Sequence, residues 1–147
     1  VGYNYRMLNL QAALGVSQMD ELEGFVQTKI RNYEKYKAEL ADVKGIEILP
    51  FRHRTRSNHW FYSLLIDEVK LGIGRDELMH RLIEEGIQCR PIWKLIHTLE
   101  PYKNFEAYRI EKAVYYESHI LNLPCSTSLT TEEVVYVCDK IKEIAGR

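Results

Sequence analysis

The sequence predicts an α+β domain, and three observations carry that assignment. A long first stretch repeats apolar residues at helical spacing, three short segments have strand-like composition, and further helical segments lie between and after them. A long N-terminal helix followed by strands interleaved with helices implies a small antiparallel or mixed sheet with flanking helices. At 147 residues the chain is the size of one ordinary domain. The expected division is a long helical segment over 1–43 and a C-terminal α+β small domain over 44–147.

From Leu8 to Leu40 the residues Leu8, Ala12, Val16, Met19, Leu22, Val26, Ile30, Tyr33 and Leu40 recur at mostly helical steps. Asn9 is placed to cap this stretch, and Gly24 predicts either a bend or two helices in series. Ile46 to Pro50 alternates apolar and polar before a proline and reads as a short strand. His59 to Asp67, rich in aromatic and branched residues, reads as a better-buried one. "GIG" at Gly72 to Gly74 lacks the rest of a phosphate-loop pattern and reads as a turn.

Glu77 to Glu85 carries Leu78, Met79, Leu82 and Ile83 on one side, with Gly86 where a helix stops in the left-handed conformation. Ile87 to Ile92 reads as a third strand, Phe105 to His119 as another helix, and "ILNLP" as a short extended piece. The final helix has the clearest signature. Thr130 with Glu133 makes a capping box, and Val134, Val137, Cys138, Ile141 and Ile144 form the stripe.

Bulk properties bound the function. Hydrophobic residues are 46% and charged residues 28% of the chain, ordinary usage for a folded protein. A net charge of -1 argues against a general nucleic-acid binder. Cys89, Cys125 and Cys138 are an odd number without close spacing, so neither a disulfide framework nor a zinc site is expected, and a reducing cytoplasmic setting fits. No run approaches the ~18 apolar residues of a membrane span. The chain begins at Val1 without Met, on a polar and aromatic stretch, and is expected to be part of a longer polypeptide.

Two segments carry candidate chemistry. In "RPIWKLIH", Arg90, Trp93 and His97 put a cation, an indole and an imidazole near one strand end, where binding loops concentrate. In the opening "VGYNYRMLN", a helix cap accounts for Asn9 but not for Asn4 or Arg6. Arg52, His53, Arg54 and Arg56 form a basic cluster that suits either an anion or plain solvation. The histidines show no metal-ligand spacing.

The same two segments resemble a known family. "GYNYRMLNLQAALGVSQMDEL", "GIQCRPIWKLIHTLEPY" and "LNLPCSTSLTTEEVVYV" are similar, in this order, to blocks of the DegT/DnrJ/EryC1/StrS aminotransferases, pyridoxal-phosphate enzymes that aminate keto sugars on nucleotide carriers. The Trp in "RPIWKLIH" brings the resemblance nearest to the branch making UDP-linked 4-amino sugars of the bacillosamine and legionaminic acid type.

This resemblance implies the C-terminal small domain of the aspartate-aminotransferase-like, fold type I architecture. The cofactor-anchoring lysine would lie upstream of Val1, and none of the ten lysines present stands in the family's lysine motif. The resemblance places Asn4 at the cofactor phosphate of the neighbouring subunit, in a homodimer with shared active sites. It places Tyr3, Arg6, Arg90, Trp93 and His97 on the substrate side. The implied activity transfers an amino group, usually from glutamate, to the keto sugar. Some relatives carry histidine in place of the lysine and dehydrate sugars instead, and the deciding position is outside this chain. Two further readings stand beside it: a stand-alone α+β interaction module docking through its first helix, and anion or nucleic-acid binding through Arg52 to Arg56.

Overall fold

The computed structural model describes residues 5–146. Tyr3 and Asn4 lie outside the described residues. Six helices and four strands follow one another in the order α1 (Asn9–Met19), α2 (Leu22–Glu39), β1 (Ile46–Ile48), β2 (Tyr62–Ile66), α3 (Glu68–Leu71), α4 (Arg75–Glu84), β3 (Arg90–Pro91), α5 (Glu111–His119), β4 (Ile120–Leu123) and α6 (Thr131–Ile144), counted among the described residues. The sheet order is β1-β2-β4-β3 and every pairing is antiparallel, with Ile46 opposite Ile66, Tyr62 opposite Leu123 and Arg90 opposite Asn122.

The period-2 geometry of strands sorts the side chains. Tyr62, Leu64 and Ile66 of β2 and Leu121 and Leu123 of β4 are buried with Tyr33, Tyr36 and Leu40 of α2, Leu78 and Leu82 of α4, and Val134, Val137, Cys138 and Ile141 of α6. On the opposite face Leu65 and Tyr115 of α5 line one shallow recess. Helices on both sides bury all of β4, and Asn122 is tolerated there because its side-chain oxygen accepts from Ser63 Oγ at 3.0 Å. Burial pushes the Cys89 and Cys138 thiols up to about 12, so both stay neutral fillers of the core.

The final helix forms as its signature requires. Glu133 N–H donates to Thr130 Oγ1 at 3.2 Å and Thr130 N–H donates to Glu133 Oε2 at 2.7 Å, closing the capping box. Gly86 ends α4 at φ +79°, and Gly72, at φ +92°, follows α3, a single turn capped by Asp67 that the periodicity does not reveal.

Several boundaries differ from the sequence expectation. The first helix is two in series, but the break is at Asp20 and Glu21, not at Gly24, which sits exposed in the first turn of α2 with no atom within 4 Å of where a Cβ would be. Ser17 Oγ donates back to the Leu14 carbonyl at 2.9 Å, a bond that bends helices. Asn9 is not the cap: the cap is Leu8, whose N–H donates to Gln11 Oε1 at 2.9 Å.

The strand expected over His59 to Asp67 pairs only from Tyr62 to Ile66, because His59 takes a left-handed φ of +50°. The third strand shrinks from Ile87–Ile92 to Arg90–Pro91, since proline brings no N–H to a ladder. The helix expected from Phe105 starts only at Glu111. The segment before it is a series of turns, with Arg109 at φ +50°. "ILNL" is extended as expected and forms β4, one of the two inner strands of the sheet.

Candidate functional site

Two chain segments meet at the outer end of the sheet, beyond β3 and just ahead of β2. Past Pro91 the chain leaves the ladder, exposes Trp93, and turns through a short 3-10 helix at Ile96–Thr98. That turn and the irregular segment before α5 enclose an open cleft of about 630 Å³. Trp93, His97, Tyr102, Phe105 and Tyr108 line it, so the two ring-bearing residues singled out from "RPIWKLIH" share one concavity. Arg90 is exposed on the neighbouring edge strand. Arg6 is exposed ahead of α1 and does not line the cleft.

The second segment leads into β2. Its base is closed by a tilted contact of His59 on Phe51, with centroids 4.0 Å and planes 55° apart, and both rings pack on Tyr33, at 5.2 and 5.0 Å. The basic residues lie on the exposed loop beyond this closure, and Arg56 pairs with the Glu23 carboxylate of α2. Trp60 and Phe61 then reach Trp93, at 5.8 and 5.3 Å between centroids. Sequence reasoning missed this contact. "HWFYSLLID" reads as one continuous buried strand, and the only cue to the contrary is a tryptophan at its outermost end.

A half-buried cation braces the same corner. Lys29 of α2 donates to the Cys125 carbonyl and, at 3.3 Å, to the Trp60 carbonyl, with its ammonium 6.0 Å from the Tyr62 ring centroid. Tyr62 Oη returns a bond to the Lys29 carbonyl at 2.9 Å. Burial pushes the Cys125 thiol up, and the Lys29 charge beside it draws it partly back.

The corner can therefore hold a ligand with flat or apolar surface and an anionic portion. It is not itself a cofactor cradle. Lys29 is committed to carbonyls, and Lys35, Lys70, Lys103, Lys140 and Lys142 pair with carboxylates. No described lysine stands in an enclosed group of anion donors, so the described residues do not fit pyridoxal phosphate by themselves. Among the described residues no group of three His, Cys, Asp or Glu is placed to hold a metal ion, and no helix is long and apolar enough to cross a membrane.

Comparison with known proteins decides the family. The model of the DegT/DnrJ/EryC1/StrS aminotransferase family matches residues 1–142. The chain belongs to that family. It is 30% identical over 150 residues to GDP-perosamine synthase of Escherichia coli O157:H7, covering 97% of this chain and 38% of that protein. It is 35% identical over 91 residues to GDP-4-keto-6-deoxy-D-mannose 3-dehydratase of Yersinia pseudotuberculosis, covering 62% of this chain and 22% of that protein.

Among solved structures, DesI, crystallised in the presence of its TDP-sugar product, superposes with a TM-score of 0.91 at 28% identity, covering 99% of this chain and 38% of that one. The chain thus spans about two fifths of the length of such family members. The expected α+β piece of the aspartate-aminotransferase-like, fold type I architecture is what the structure shows.

Proposed function

We propose that this chain is the C-terminal part of a pyridoxal-phosphate-dependent aminotransferase that passes an amino group from glutamate to a keto sugar on a nucleoside-diphosphate carrier. The observation that carries this reading is the family match over residues 1–142, together with a cleft whose chemistry suits the substrate side. Arg90 supplies a cation suited to a diphosphate, Trp93 an apolar ring face, and His97 an imidazole at the cleft wall. Pyridoxal phosphate, held in the longer enzyme, would supply the electron sink for the transfer, and these residues would orient the sugar nucleotide beside it.

In this reading Asn4 meets the cofactor phosphate of the neighbouring subunit of a homodimer, and Tyr3 and Arg6 stand beside the substrate's anionic groups. Residues 1–43 link to the large cofactor domain, whose lysine anchors the cofactor upstream of Val1. The free cysteines suit a reducing cytoplasm.

The test mixes the 147-residue chain with pyridoxal phosphate, glutamate and a panel of UDP-, GDP- and dTDP-linked 4-keto sugars. No amino sugar is expected from the chain alone. Glutamate-dependent amino sugar is expected from the longer polypeptide that carries it. Amino-sugar product from the chain alone overturns the placement of the anchoring lysine. The similarity to the Yersinia dehydratase favours one second reading, a sugar dehydratase of the same family. Loss of water from the sugar, with no amine transferred, would select it.

A further inference from the structure

Trp60 lies outside every motif that marks the family resemblance, yet its exposed ring stands 5.8 Å from Trp93 on the cleft wall. Trp60 is 60% exposed and Trp93 64%. The backbone beneath Trp60 is held from two sides: its N–H donates to Asn58 Oδ1 at 3.1 Å and its carbonyl accepts from Lys29 Nζ at 3.3 Å. Lys29 is half-buried and has no carboxylate within ion-pair distance among the described residues. Its ammonium is spent on two carbonyls from the two loops that frame this corner, one ahead of β2 and one after β4. A half-buried lysine whose charge is spent on two loop carbonyls ties those two loops together at one point.

Trp60 lies against Phe61 with centroids 4.6 Å apart and planes 32° apart, is tilted by 51° to Trp93, and Trp93 meets Phe61 edge-on at 77°. One side of the Trp60 indole thus packs on Phe61 while both tryptophans keep exposed surface. Cations stand close by: Arg90 on β3, and Lys94 on the cleft wall, 4.0 Å from the Glu117 carboxylate. Exposed indole surface beside cations suits a ligand that is part flat heterocycle and part phosphate. A hexose, the polar part of such a substrate, calls for several hydrogen-bonding groups, and each indole brings only its own N–H.

We propose that Trp60, together with Trp93, forms the face on which the nucleobase of the nucleotide-sugar substrate stacks, and that Lys29 is the residue that positions Trp60. This assignment rests on the proposed function and adds to it the element that holds the carrier.

The test is titration calorimetry on the longer enzyme with UDP, GDP, dTDP and inorganic pyrophosphate, in the wild type and in Trp60→Ala, Trp60→Phe and Lys29→Met. Trp60→Ala is expected to weaken binding of the preferred nucleoside diphosphate by roughly tenfold, with pyrophosphate affinity unchanged. Trp60→Phe retains most of the affinity. Lys29→Met, which keeps the apolar stem, weakens the nucleoside diphosphate in the same direction and by less.

Equal nucleoside-diphosphate affinity in wild type and Trp60→Ala overturns the proposal, and a raised KM for the nucleotide sugar at unchanged diphosphate affinity puts the sugar on the indole instead. Loss of pyrophosphate binding in step with the nucleotide also overturns it, because the substitution then acts on the whole corner. A wild type that binds none of the three nucleoside diphosphates removes the proposed function itself, an outcome distinct from all of these.

Discussion

Two buried tyrosines separate the cost of a polar atom from the gain of a hydrogen bond. Tyr62 and Tyr36 are both fully buried and their rings lie 5.5 Å apart, but Tyr62 Oη donates to the Lys29 carbonyl at 2.9 Å whereas Tyr36 Oη has no hydrogen-bond partner among the described residues. Burial drives both phenols well above their ordinary range, so neither ionises under ordinary conditions. Removing a satisfied hydroxyl costs about 1 kcal/mol, whereas removing an unsatisfied one relieves a desolvation penalty of similar size. Tyr62→Phe is therefore expected to lower the urea midpoint, and Tyr36→Phe to leave it unchanged or raise it. A Tyr36→Phe midpoint that falls as far as that of Tyr62→Phe contradicts this assignment of the two hydroxyls.

At the scale of elements, the tightest joint is between the turn before β1 and the helix after β2. Gly45 has φ +89°, its carbonyl accepts from Asp67 N–H at 2.7 Å, and a Cβ placed there would stand 2.5 Å from the Leu71 backbone nitrogen. Gly45→Ala combines a left-handed backbone with a collision against main chain that cannot swing aside, and is expected to cost several kcal/mol. Gly86→Ala, with a φ of +79° but open space around it, is the control and costs about 1 kcal/mol. Equal unfolding midpoints for the two variants would show that the backbone collision at Gly45 is relieved.

The same elements show which features were legible in the sequence. Thr130 and Glu133 announced α6 because both halves of a capping box and a full apolar stripe coincide there. The core strand β2 was legible through its aromatic and branched run, whereas β4, with Asn122 in its middle, read only as a short extended piece. The 105–110 segment was not legible, because it runs without a proline or glycine break into the helix that begins at Glu111, while Phe105 and Tyr108 line a cleft. At the candidate site Trp93 and His97 were legible as unusual side chains leaving a strand. Trp60 was not, since an exposed ring heading a strand has the same spelling as a buried one, and only its contact with Trp93 tells them apart.

The whole molecule has one surface that its own core does not account for. Met7 to Met19 contains no Asp, Glu, Lys or Arg, and α1 has no buried residue: Met7, Leu10, Leu14, Val16 and Met19 are all exposed. An ordinary surface helix shows one apolar stripe and a charged opposite face, whereas a helix apolar around its circumference belongs in contact with protein on more than one side. In the proposed enzyme that cover comes from the large domain and the second subunit. The 147-residue chain by itself is accordingly expected to self-associate as its concentration rises, because an uncovered apolar surface of this kind is sticky. Leu10→Glu combined with Leu14→Glu, two exposed positions one helical turn apart, should return it to monomer without lowering its unfolding midpoint, since neither side chain touches the core. Sedimentation velocity across a concentration series reads this out. A chain that stays monomeric at every concentration, or a double variant that still associates, would show that α1 is not the surface responsible.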